Sequence, residues 1–223
     1  MLDKIRLGGG NAEGRSLGRP VDSSKALATP SLRDRQKSQT RRVLRDAALK
    51  LFAARGYDAT TTEEIAEKAG VSTRTFFRYF PTKESVLLGG EREWNQSVVD
   101  TYPSQPDSLR DIDAMSATFA DHAPRVARRR QSLLLYERAL ASSPMLRGQV
   151  QDHLREDIEE LAKAVAIRRG LADPDEACAL LAAVGLMTFR RAIDTWLAGP
   201  ASIDLKAVVV EEFRLLTEQF ATD

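Results

Sequence analysis

The sequence predicts an all-α fold, with an N-terminal three-helix helix-turn-helix unit and a larger helical domain behind it. Three observations predict this. Apolar residues recur at intervals of three and four, as in Leu146, Val150, Leu154, Ile158, Leu161 and Val165, the repeat of one helix face. Alternation of the β type never persists beyond a few residues. Helix start and stop signals divide the chain into short helices first and long ones later.

Residues 1–32 read as a leader, because Gly8, Gly9, Gly10, Gly14, Gly18, Pro20 and Pro30 interrupt any apolar period. A first helix opens on the basic run Arg33, Arg35, Lys37, Arg41, Arg42 and Arg45. It turns Leu44, Ala48, Leu51 and Phe52 inward and stops at Arg55-Gly56, where glycine can take the left-handed conformation of a helix end. Thr61-Thr62-Glu63-Glu64 forms a capping box for a second helix, which buries Ile65, Ala66 and Ala69 and ends at Gly70. Ser72 caps a third helix, Thr73 to Phe80, with Phe76 inward. Pro81 stops it, and Thr82 caps a fourth from Lys83 to about Asp100.

The polar, two-proline stretch Tyr102 to Ser108 marks the boundary between a domain over 33–101 and one over 102–223. Beyond it, Leu109, Ile112 and Phe119 mark one helix, and Val126, Leu133, Leu134 and Leu140 the next. Ser143-Pro144 starts the helix of the long four-residue repeat, and Asp173-Pro174 the one ending near Ala198-Gly199-Pro200. Ile203 to Phe220 closes the chain.

Composition narrows the function. At 223 residues with 29% charged residues, the chain can bury a real core, and collagen-like or disordered readings fail. Its single cysteine, Cys178, excludes an internal disulfide. The longest uncharged stretch, Ala177 to Phe189, is shorter than the ~20 residues of a membrane-spanning helix. No apolar segment of the signal-peptide kind opens the chain, so a cytoplasmic protein is expected. Net charge is +1, yet residues 1–92 carry 18 Lys+Arg against 11 Asp+Glu, while residues 93–223 carry 15 against 21. A basic front joined to an acidic back suits a polyanion-binding module fused to something else.

The Gly70-Val71-Ser72 turn between the second and third helices has the form of a helix-turn-helix, in which the later helix enters the major groove. At about 100° per residue, Thr73, Arg74, Phe77 and Arg78 share one sector of the third helix. That sector offers a hydroxyl, two guanidinium groups and an aromatic edge, and arginine can bind guanine in bidentate fashion. A solvated amphipathic helix is the alternative, but exposed Phe77 beside Tyr79 would then have no use.

The run from Arg42 to Leu88 resembles the DNA-binding domain of the TetR family of bacterial transcriptional regulators. The matching pieces are Ala48-x-x-Leu51-Phe52, Arg55-Gly56-Tyr57, Thr60 to Thr62, Ile65-Ala66, Ala69-Gly70-Val71-Ser72 and Phe76-Phe77-x-Tyr79-Phe80-x-x-Lys83. The resemblance implies that Thr73, Arg74 and Thr75 face base edges and that Phe77 and Tyr79 meet backbone or thymine methyls. Thr62 and Arg78 complete that surface. Lys83 would meet a phosphate at the start of the fourth helix. Arg41, Arg42 and Arg45 fit a phosphate-contacting first helix or, equally, a solvated basic face. The leader is either a tail or a basic arm along DNA. Two departures stand out: many members carry Tyr at Phe77 and His at Tyr79.

The remainder resembles the family in helical layout, which implies a ligand-binding and dimerisation domain. The expected dimer interface is Leu180, Ala183 and Val184 with Val209, Phe213 and Leu216, because Ala177 to Phe189 is apolar all round and the final helix has a wide apolar face, flanked by Val208 and Leu215. Small residues Ala179, Ala182, Ala183 and Gly185 would let a second helix come close. Met115, Tyr136, Met187 and Trp196 are candidate pocket residues, with core packing as the competing role. Arg128-Arg129-Arg130 beside Arg125 could pair an acidic ligand or stay solvated. His122 and His153 lack partners at ligand spacing, so neither a metal site nor a cofactor is expected. No nucleophile set or glycine-rich phosphate loop points to an enzyme. The expected function is a DNA-binding regulator, a homodimer released from a double-stranded operator by a small-molecule effector. A ligand-independent or activating regulator is the alternative.

Overall fold

A computed structural model describes residues 31–88 and 91–220, which contain ten α-helices and no strand. The leader over residues 1–30 lies outside the described residues. The first helix, α1, spans Leu32–Arg55 and ends at Gly56, whose φ of 88° is the left-handed geometry expected there. α2 (Thr62–Lys68) begins with the complete capping box: Thr61 Oγ1 accepts the Glu64 N–H, and Glu64 Oε2 accepts the Thr61 N–H at 2.9 Å. α3 (Thr73–Tyr79) is capped by Ser72, which accepts the Thr75 N–H at 3.1 Å.

The single helix expected from Lys83 to Asp100 is described as two pieces, α4 (Ser85–Leu88) and α5 (Glu91–Thr101), on either side of residues 89–90. Thr82 does act as its cap: the Ser85 N–H donates to Thr82 Oγ1, and the Thr82 N–H donates to Ser85 Oγ. The two-proline stretch contains a 3₁₀ turn, Tyr102–Ser104. Arg168 holds this stretch down, donating to the carbonyls of Gln105, Pro106 and Leu109.

The second half contains α6 (Asp111–Ala127), α7 (Arg130–Ala141), α8 (Pro144–Arg168), α9 (Glu176–Ala198) and α10 (Leu205–Phe220). Val126, expected in the later helix, belongs to α6. Pro144 opens α8 as expected, but the Ser143 side chain makes no capping bond. α9 is capped by Asp175 rather than Asp173, its carboxylate accepting the Cys178 N–H at 2.8 Å.

Two apolar clusters result. The larger joins α6, α8, α9 and α10, with Val98 and Tyr102 from α5 and its continuation. At its centre Trp94, Phe119 and Phe189 lie nearly parallel, with Phe119 and Phe189 4.6 Å apart, and Phe213 closes the group. The smaller cluster lies under the helix-turn-helix: Leu44, Phe52, Tyr57, Ile65, Phe76 and Phe80 pack together. Its floor comes from the second half, from Tyr136, Ala139 and Leu140 of α7 and Leu146 of α8. The Tyr57 N–H donates to Ser142 Oγ across the same junction. The two halves therefore share an apolar interior.

Candidate nucleic-acid interface

The presentation of α3 follows from its two ends. Phe76 is fully buried and fixes the helix rotation, while the Ser72 cap fixes its start. What remains outside is Arg74, Phe77 and Arg78, with Thr73, Thr75 and Tyr79 half-buried beside them. Phe77 is 49% exposed, its ring edge-on to Phe76 at 5.3 Å. The Arg78 guanidinium lies 5.2 Å over the Tyr79 ring, which leaves both polar ends at the surface. Thr62, at the start of α2, is half-buried with its hydroxyl on Glu63, and Arg42 is exposed on α1. Eight of the nine expected DNA-binding residues are exposed or half-buried on the helix-turn-helix unit: six on α3, Thr62 at the start of α2 and Arg42 on α1.

Lys83 is the exception. Its Nζ donates to the carbonyls of Tyr57 and Thr60, each at 2.9 Å, and sits 4.0 Å from the centre of the Tyr57 ring. The resemblance implies a phosphate as the partner of Lys83. Backbone carbonyls of the α1–α2 turn supply that negative end instead. The same turn is braced by Glu84, which the Tyr57 hydroxyl contacts. Burial and this carboxylate push the Tyr57 phenol far above its usual range. Glu64 behaves oppositely: the Thr61 N–H and the Arg55 guanidinium at 2.5 Å hold its carboxyl below the ordinary value.

On α1, Arg41 places its guanidinium 5.1 Å over the Phe80 ring, and Arg45 Nε donates to the Val86 carbonyl at 3.1 Å. The first helix is thereby fixed to the C-terminal end of α3 and to α4. Sequence spacing marked both arginines as basic but could not reveal these partners. Ser142 was also missed, because its link to Tyr57 crosses 85 positions of sequence.

The candidate pocket residues do not come together. Met115 is fully buried against Gly185, where a Cβ would fall 2.7 Å from Met115 Cγ. Trp196 is buried, its Nε1 donating to the Ile203 carbonyl at 2.9 Å. Tyr136 lies in the smaller cluster, under the helix-turn-helix. Met187 is 45% exposed on α9, so it faces away from the core. None of the four lines the cleft of about 980 Å³ between Arg41, Phe80 and Thr82 on one side and Asp100, Gln149 and His153 on the other. Arg130 is not available to an acidic ligand: it caps α9 by donating to the carbonyls of Trp196, Leu197 and Gly199. Arg125, Arg128 and Arg129 are exposed.

The expected dimer residues divide. Leu180 is 67% exposed, and Ala183 and Val184 are partly exposed beside Met187, forming an outward apolar face on α9. Val209 and Phe213 instead point into the chain's own core against α6, and Leu216 is half-buried. On α10 the outward apolar residues are Val210 and Leu215. Ala182 and Gly185 face inward as well, and the small size of Gly185 admits Met115.

Comparison with known proteins bears on this arrangement. The profile of the bacterial regulatory proteins of the tetR family matches residues 44–89, and that of the MftR C-terminal domain matches residues 106–221. The chain belongs to the TetR family. The HTH-type transcriptional regulator TcmR of Streptomyces glaucescens is 35% identical over 150 residues, covering 64% of this chain and 66% of that protein. The uncharacterized HTH-type transcriptional regulator YuxN of Bacillus subtilis is 30% identical over 123 residues, 54% of this chain and 38% of that protein. The chain thus spans less than two thirds of the length of each. Thermus thermophilus FadR, a TetR-family repressor solved with lauroyl-CoA, superposes with a TM-score of 0.52 at 25% identity, over 82% of this chain and 96% of that one. Among the described residues no helix is long and apolar enough to cross a membrane.

Proposed function

We propose that this TetR-family chain is a transcriptional repressor: a homodimer that binds a near-palindromic DNA operator and is released by a small-molecule effector. The observation that carries this reading is the α3 surface, where Arg74, Phe77 and Arg78 stand outside a rigidly capped helix-turn-helix. A single such helix reads one half-site, and a two-fold reader needs two copies. The apolar outer face of α9, Leu180 to Met187, supports pairing there. The effector must prefer the non-binding state, since equal affinity for both states shifts nothing. Acyl-CoA esters are the first class to screen, because the Thermus thermophilus relative carries lauroyl-CoA. Such a reader works where the chromosome is, in the cytoplasm.

A second reading is a ligand-independent or activating regulator of the same fold. The filled centre of the body favours it, with Trp94, Phe119 and Phe189 stacked and Met115 pressed on Gly185. Selection of genomic fragments by the purified protein, then footprinting at fixed salt, tests the main reading. A protected pair of half-sites, released by one compound class, supports it. Recovery without sequence enrichment sinks both readings, and a site that no compound releases leaves the second.

A further inference from the structure

α1 begins at Leu32, and about three of its turns precede residue 44, where the match to the tetR family profile starts. Among the described residues the first two of these turns are bare: every described side chain from Leu32 to Gln39 is exposed, Leu32 by 74%, and packing begins only at Thr40 and Arg41. A free helix of this length is marginal in water without a partner.

Its charges make the free state worse. Arg33, Lys37, Arg41 and Arg45 follow one another four apart, and Arg35 and Arg42 share a second line seven apart. Like charges four apart on a helix repel, and cations at a helix N-terminus oppose its dipole. A polyanion reverses both penalties. The place of the extension says which polyanion. Arg41 lies over Phe80, the residue that ends the recognition helix, and Arg45 is bonded to α4. The free turns therefore begin beside the end of the element that meets DNA. At about 1.5 Å per residue, the helix from Arg41 back to Leu32 reaches roughly 14 Å further, about four base-pair steps.

Resting on the DNA-binding reading, we propose that Leu32–Val43 of α1 is a phosphate-binding arm. Arg33, Arg35 and Lys37 hold the duplex backbone flanking each half-site. The arm carries no base readout: it raises affinity for every sequence, and the footprint extends outward by its length.

Phosphate contacts are sequence-independent, so a scrambled 40-base-pair duplex tests the arm without knowledge of the operator. The full-length parent is compared with the triple variant Arg33→Gln, Arg35→Gln, Lys37→Gln across a series of KCl concentrations. Glutamine keeps helix propensity, and the mutated turns support no core, so the fold is preserved. The expected result is weaker binding with a salt slope shallower by up to about 2.7 per protomer, about 0.9 for each lost phosphate contact. On selected operator DNA the footprint should retract at its outer edges while sequence preference stays. An unchanged slope and unchanged edges overturn the arm. So does a change in oligomeric state with unaltered DNA binding, which would place the cations on the acidic body of a second copy. A parent that binds no duplex at low salt defeats the underlying DNA-binding reading instead.

Discussion

Arg74 and Lys83 both looked like DNA contacts in the sequence, and the structure separates them. Arg74 is exposed on α3, where the proposed DNA binding would set it against a base edge. Arg74→Ala should cost about 1–3 kcal/mol of operator binding and relax sequence preference, read by competition between operator and scrambled DNA. Equal preference in variant and parent would remove Arg74 from the reading surface. Lys83 holds the carbonyls of Tyr57 and Thr60. Lys83→Gln should therefore lower stability by about 1–3 kcal/mol, the scale of hydrogen bonds to a charged group, with the salt slope of DNA binding unaltered. A shallower slope at unchanged stability would restore the phosphate role. Spacing along a helix could not distinguish the two, because a carbonyl cluster and a phosphate offer a lysine the same attraction. Only the return of the α1–α2 turn beside α4 decides between them.

The helices themselves were legible wherever the signal is local. The Thr61 box, the Ser72 cap and the Gly56 and Gly70 stops involve neighbours within four positions, and each forms. The α2 cap also sets an acid limit. The Glu64 carboxyl is held below its ordinary value by the Thr61 N–H and by Arg55. Its contribution is thus complete above the unfolded value, about 4.3, and is lost as pH falls through the lower folded value. Amide exchange at Glu64 and Ile65 should accelerate below about pH 4, and Glu64→Gln should flatten that dependence; identical acid profiles would refute the coupling. Helix faces were harder. Gly185 looked like a place for a second subunit, yet it receives Met115. Gly185→Ala should cost about 1–3 kcal/mol by overpacking, seen in the denaturant midpoint. Combined with Met115→Ala, the two changes should cost less than their sum; simple additivity would mean that the pair does not touch.

At the scale of the molecule, the all-α architecture and the order of its helices were readable from periodicity, whereas the use of each apolar face was not. α7 shows why. Its residues Leu133, Tyr136 and Leu140 form one stripe in sequence, but Leu133 packs on the larger cluster while Tyr136 and Leu140 join the smaller. A periodic pattern records that a face is covered without recording by what. The same ambiguity put Val209 and Phe213 in the expected dimer interface, although α6 already buries them. Outward apolar residues remain on α9, at Leu180 and Met187, and on α10, at Val210 and Leu215, and the proposed pairing uses the α9 face. Leu180→Glu with Met187→Glu should yield monomers in sedimentation and at least a tenfold loss of operator affinity, since one half-site alone is then held. Dimers that survive the double change would move the interface elsewhere. The floor beneath the recognition helix has a practical meaning for anyone seeking to exchange specificities between regulators. Tyr136, Ala139, Leu140 and Leu146 complete that floor from beyond the proline-rich bend, so a chimaera joined at the bend would bare an apolar wall on both fragments. Specificity should transplant by regrafting the outer residues of α3 onto an intact chain, or by moving α7 together with the head it supports.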